Sequence, residues 1–210
     1  MSSIQERRAL KDMAPSVRLD EVHTQNCRVL PTRMHLLGRL PRGGVVAEIG
    51  VAFGHFTTQI LERNKPKKLH LVDAWASKRY QQGLAQIRER FSQEIAGGAI
   101  EVHQGLSTEC LPDFDQDYFD WVYIDTDHSY ATTRDELLLS AQKVKSGGLI
   151  SGHDFTSGNP VRAVPYGVIE ACNEFCVQQG WEYAFITLEP SGHFSFALAR
   201  LGSGSPGSAR

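Results

Sequence analysis

The sequence predicts an α/β fold: a mainly parallel seven-stranded sheet with helices on both faces and an antiparallel last strand. Three observations carry this. From residue 45 onward, short apolar runs alternate with amphipathic stretches, the pattern of strands buried on both faces and linked by helices. A turn bearing Gly50 and Gly54 joins the first run, VVAEI, to a stretch of helical periodicity. The last two runs, Trp181 to Thr187 and Phe194 to Arg200, are joined by LEPSGH, which suits a hairpin and is too short for a helical crossover.

In chain order, residues 1–31 read as a polar N-terminal extension with a helix near Ile4 to Lys11. The main domain spans 32–201, and GSGSPGSAR, residues 202–210, is expected to be a flexible tail. Thr32 to Leu40 predicts a short helix stopped by Pro41 and Gly43. The first strand is Val45 to Ile49, followed by a helix from Phe56 to Asn64. The second strand is Leu69 to Asp73. A long amphipathic helix follows over Ser77 to Ile95, with Leu84, Ile87, Phe91 and Ile95 on one face. The third strand, Ile100 to Gln104, precedes a short helix at Thr108 to Leu111, and the fourth strand is Trp121 to Ile124. Thr133 and Glu136 have capping-box spacing, which starts the next helix at Thr133, with Leu137, Ala141 and Val144 as its buried stripe. The fifth strand is Leu149 to Ser151. The Gly/Pro-rich loop Phe155 to Pro165, a lid candidate, leads to a helix over Tyr166 to Gln178.

Composition narrows the function classes. A hydrophobic content of 41% with 22% charged residues is that of a globular chain. The net charge of −2 comes from interspersed charges with no basic stripe, so no nucleic-acid partner is expected. No apolar run reaches the length of a membrane span, and the N-terminus lacks a secretory apolar core. Cys27, Cys110, Cys172 and Cys176 follow no zinc spacing and read as free thiols of a cytoplasmic protein.

Ligands of open parallel sheets bind beyond the carboxyl ends of the strands. Glu48 to Gly54, Asp73, Asp125 to His128, and His153 to Asp154 should therefore meet. The glycine turn lacks the third glycine of a pyrophosphate loop, and Asp73 is placed to accept hydrogen bonds from a ribose. The pair suits a nucleoside ligand such as S-adenosylmethionine (SAM). Asp125, Asp127 and His128 follow the fourth strand, and His153 and Asp154 the fifth. Carboxylates and imidazoles at adjacent strand ends suit a divalent cation or acid/base work. The competing reading makes the aspartate a helix cap. His23, His35, His70, His103 and His193 read as structural or surface residues. Trp75 is placed either to stack on a ligand or to pack internally. Tyr130 and Phe155 are candidate pocket walls.

E-I-G-x-x-x-G, V-D, Y-I-D-x-D-H-S-Y and G-G-L-I-x-G-H-D-F, in that order, resemble the class I SAM-dependent methyltransferases. The last two motifs resemble small-molecule O-methyltransferases of the macrocin, sugar-modifying and catechol types. The resemblance implies a Rossmann-like fold. It assigns Glu48, Gly50, Gly54, Asp73, Leu106, Ser107 and Asp125 to the cofactor, and Asp125, His153 and Asp154 to Mg²⁺ or another divalent metal. His128 becomes the general base, acting with Asp125, and Asp125 or Asp127 is expected to hold its ring. Thr126 stands where relatives often have glycine. The implied activity is methyl transfer to a hydroxyl of a small molecule; a homo-oligomer is compatible with it. The alternative is a SAM- or nucleoside-binding protein without that activity, or another transferase such as an aminopropyltransferase.

Overall fold

The computed structural model describes residues 3–159 and 163–202. Most of the expected tail and residues 160–162 of the expected lid loop lie outside the described residues. The elements in chain order are α1 (Ile4–Asp12), β1 (Arg28–Leu30), α2 (Arg33–Leu37), β2 (Val45–Ile49), α3 (His55–Asn64) and β3 (Lys68–Asp73). There follow α4 (Gly83–Arg90), α5 (Ser92–Ala96), β4 (Ile100–Gln104), α6 (Ser107–Cys110) and β5 (Phe119–Ile124). The chain continues with α7 (Tyr130–Lys143), β6 (Val144–Gly152), α8 (Val168–Gln179), β7 (Trp181–Thr187) and β8 (Phe196–Arg200). They build one eight-stranded sheet in the order β1-β7-β8-β6-β5-β2-β3-β4. Only β8 runs against its neighbours, antiparallel to both β6 and β7. The seven expected strands are present, and β1 is added at the edge, parallel to β7.

Side-chain alternation along the strands divides the interior into two cores. Val46, Leu69, Leu71, Trp121 and Tyr123 pack with Ile60 of α3 and Ile87 of α4 on one face. Ala47, Ile49, Val72, Val122 and Ile124 pack with Leu137 of α7 and Phe175 of α8 on the other. Both faces of the central strands are therefore covered, as near-continuous apolar strands require.

Three local readings are corrected. The long helix expected over 77–95 is two helices: Ser77 to Gln82 form turns, and Phe91 leaves helical geometry with φ −109° and ψ 27°. The kink keeps both Ile87 and Phe91 buried under β3 and the glycine turn. Helix α7 starts at Tyr130, three residues early, because Ser129 caps it by accepting from the Thr132 N–H. Thr133 and Glu136 are buried inside that helix and make no capping box. Val144 belongs to β6.

Candidate active site

The glycine turn follows from backbone geometry. Gly50 has φ +89°, and a Cβ there would sit 2.0 Å from the Asp125 carbonyl oxygen. The ends of β2 and β5 approach too closely for any side chain. Gly54 has φ +73°, and a Cβ on it would strike Ile87 Cδ1 at 2.4 Å, so this glycine serves the packing of α3 on α4. Among the described residues no side chain caps the N-terminus of α3, which begins just beyond the glycine turn after β2.

Asp73 ties the turn in place. Its Oδ2 accepts the N–H groups of Val51 and Ala52, each at 2.8 Å, and its Oδ1 accepts the Trp75 N–H at 2.7 Å. Trp75 is 4% exposed and donates its indole N–H to the Ala52 carbonyl, so it packs internally. Glu48 is buried beneath the turn and accepts from Thr57 Oγ1 at 2.6 Å. Burial pushes its carboxyl up to about 8. Leu106 is exposed beyond β4, beside Ser107 at the start of α6. Ser107 Oγ donates to Glu136 Oε1 at 2.5 Å, and Thr126 Oγ1 donates to Glu136 Oε2 at 2.9 Å. Glu136 thus clips the loop after β4 to the loop after β5, and burial raises its carboxyl to about 7. Thr126 is one half of that clip.

At the ends of β5 and β6 the polar cluster assembles. His128 Nε2 lies 3.0 Å from Asp154 Oδ2 and 3.9 Å from Asp125 Oδ1. His153 Nδ1 lies 3.7 Å from Asp125 Oδ2 and 3.6 Å from Asp154 Oδ1. Donor atoms of Asp125, His128 and Asp154 converge within 4.8 Å of one another. Desolvation and the nearby Asp154 carboxylate push the half-buried Asp125 carboxyl up to about 7. Burial holds His128 below its usual value, against the pull of Asp154. The Tyr166 ring lies 4.7 Å from the His128 ring, centroid to centroid. Tyr130 is turned to Glu174, and Phe155 packs on Tyr183 and Phe196.

Two members of the cluster escape sequence reasoning. His193, from the β7–β8 connection, hydrogen-bonds Asp154 Oδ1 through Nδ1 and stacks on His153 at 8° between ring planes. It is not the isolated residue the sequence implies. Arg33, at the start of α2, lies 3.9 Å from Asp125 Oδ2 and over the Phe56 ring. A histidine 39 residues from its partner carries no local signal. Backbone strain marks the same place: among the described residues, six non-glycines have positive φ, and Ala52, Trp75, His128 and Asp154 lie just beyond strand ends at this site.

A Rossmann-like sheet with a glycine turn after β2 and titratable residues after β5 and β6 is an arrangement that class I SAM-dependent methyltransferases share. The methyltransferase-domain family matches residues 47–155, more than half of the chain, and the chain belongs to that family. Solved structures share the fold. The pyocyanin biosynthetic protein PhzM superposes with a TM-score of 0.61 at 16% identity, covering 80% of this chain and 54% of that one. Spermidine synthase from Thermotoga maritima gives 0.57 at 16% identity, covering 80% and 57%. SMU.1697c from Streptococcus mutans, solved in complex with SAH, gives 0.57 at 13% identity, covering 79% and 94%. This chain spans little more than half the length of the first two. A search of curated proteins finds no match to the sequence. Among the described residues, no helix is long and apolar enough to cross a membrane.

Proposed function

We propose that the chain transfers a methyl group from SAM to a hydroxyl of a small molecule. The observation that carries this is the His128–Asp154 pair, at 3.0 Å, beside Asp125 and one strand away from the glycine turn. SAM would lie across the ends of β2, β3 and β4. The uncapped N-terminus of α3 would face its carboxylate, the remaining acceptor capacity of Asp73 its ribose, and Leu106 and Ser107 its adenine. Glu48, Gly50 and Gly54 would shape the floor. In a neutral His128, donation from Nε2 to Asp154 leaves the lone pair on Nδ1, and depression by burial keeps the ring neutral near pH 7. His128 would then accept the hydroxyl proton as oxygen attacks the methyl carbon in line with the departing sulfur. Asp154, held by His193 on its other oxygen, would orient the base and stabilise the imidazolium.

The cluster fits a divalent cation as well as a base. Asp125 and Asp154 lie close together with Arg33 as a distant counter-charge, and a cation held there would relieve their mutual repulsion. Asp125 and Asp154 would hold it, with His153, or with His128, whose Nε2 converges with their oxygens, as the imidazole ligand. When bound, such an ion lowers the pKa of a coordinated hydroxyl. The test is a screen of hydroxylated small molecules with SAM, reading SAH release with and without chelator. Turnover of at least one hydroxyl acceptor, lost on chelation and restored by Mg²⁺ or Mn²⁺, is expected. SAM binding without turnover of any hydroxyl would favour a binding protein, and full turnover in chelator would remove the metal.

A further inference from the structure

The outer strand pair β3–β4 carries a second set of donors that the proposed reaction does not use. His70 stands opposite Glu101 in the parallel register, and His103 lies two residues further along β4. All three therefore project from the same face of the sheet. His70 Nδ1 lies 2.9 Å from His103 Nε2, and His103 Nε2 lies 3.7 Å from Glu101 Oε1. One ligand atom from each residue falls within 4.8 Å of the others. The three border a cleft of about 270 Å³ that Cys110, Asp113 and Tyr118 also line.

Two imidazole nitrogens facing each other at this separation have two explanations. Either one donates N–H to the other, or both lone pairs point at a shared cation. Tyr118 Oη lies 3.0 Å from His70 Nε2. With that nitrogen donating to the phenol oxygen, the His70 lone pair is on Nδ1 and aimed at His103. Ligating histidines are oriented in this way by a hydrogen bond on the far nitrogen. Lys68 Nζ holds the other Glu101 oxygen at 2.6 Å, which leaves Oε1 on the histidine side. In a tetrahedral zinc site with bonds of about 2.0–2.1 Å, neighbouring donors stand roughly 3.3 Å apart. The His70–His103 and His103–Glu101 separations bracket that value, and the third pair lies within 4.8 Å.

We propose that His70, His103 and Glu101 bind a borderline divalent transition-metal ion, Zn²⁺ above all, with water from the cleft completing the coordination. Two imidazoles and one carboxylate are the donor types this class of ion selects over Mg²⁺. A neutral imidazole offers one ring nitrogen lone pair as a ligand. His103 need only move its remaining proton to Nδ1, and no net proton is released. The ion would tie the outermost strand to its neighbour and steady the loop from Gly105 to Ser107 that follows β4.

The test is calorimetric titration of the chelator-stripped full chain with Zn²⁺, repeated with Co²⁺ for its visible spectrum. Wild type, Glu101→Gln/His103→Asn and Asp125→Asn are compared, with folding checked by circular dichroism. Asp125→Asn should keep one equivalent, giving the intense visible bands of a low-coordinate Co²⁺ site, and wild type should bind that equivalent in addition to any held at the Asp125 cluster. The Glu101/His103 variant should bind that equivalent about a hundredfold or more weakly. Should the double variant misfold, the single His103→Gln serves, with the same loss expected. Equal affinity and stoichiometry in wild type and variant, or no binding to wild type, would overturn the proposal. So would loss of the equivalent only in Asp125→Asn, which would assign it to the other cluster.

Discussion

At the scale of single residues, chemistry and support are carried by different side chains. His128 is held by Asp154 on one nitrogen, so replacing it should remove the base and leave the cofactor turn intact. His128→Ala is expected to lower kcat by about 10²–10⁴-fold with SAM affinity within a few-fold. Retention of more than a third of wild-type kcat, with an unchanged acid limb in the pH–rate profile, would assign the proton to metal or water. Which residues the sequence discloses depends on how local their signal is. Asp125, His128 and Asp154 follow directly on buried strands, so topology alone brings them together. His193 and Arg33 arrive from a hairpin connection and a short helix, with no spacing to betray them. Glu136 was legible as a polar residue three positions after a threonine, which matches a capping box. Its burial against Ser107 and Thr126 depends on the packing of α7 and cannot be read from spacing.

At the scale of elements, the strands are the legible part because each is a short apolar run bounded by turn residues. The missed strand, β1, is three residues long, and two of them are exposed, so it has no apolar signature of its own. Its partner β7 supplies the ladder. The helices mislead where tertiary packing overrides periodicity: the apolar stripe Leu84, Ile87, Phe91 and Ile95 conceals the bend at Phe91. The turn between β2 and α3 shows the opposite case, in which the residue type is dictated by a neighbouring element. Any side chain at Gly50 displaces the carbonyl of Asp125. Gly50→Ala is expected to destabilise the fold by roughly 2 kcal/mol or more, from positive φ together with the clash. Equilibrium urea unfolding measures this. A change below about 0.5 kcal/mol would mean that β2 and β5 are not held as close as described.

For the whole molecule, the buried carboxyls make stability depend on pH in a defined direction. Glu48 is raised to about 8 and Glu136 to about 7, while both have an ordinary value of 4.5. Between these limits the folded chain binds more protons than the unfolded one, so stability falls as pH rises. His70 and His153, lowered to about 4, act in the opposite sense but only below their ordinary value of 6.5. Above it the carboxyls act unopposed by them. Tm should therefore decline from pH 6.5 to 8, and Glu48→Gln, which keeps an acceptor for Thr57, should flatten the decline. An equal slope in variant and wild type would place the titration elsewhere. The same architecture carries the central claim, that SAM lies across the carboxyl ends of β2, β3 and β4 beside the His128–Asp154 pair. Hydrogen–deuterium exchange of the full chain with and without saturating SAM tests it most directly. The account predicts slowed exchange in residues 50–57, 73–75 and 105–107, with the β1–β7 edge unchanged. No protection in those three segments, or protection confined to the opposite edge of the sheet, would contradict it.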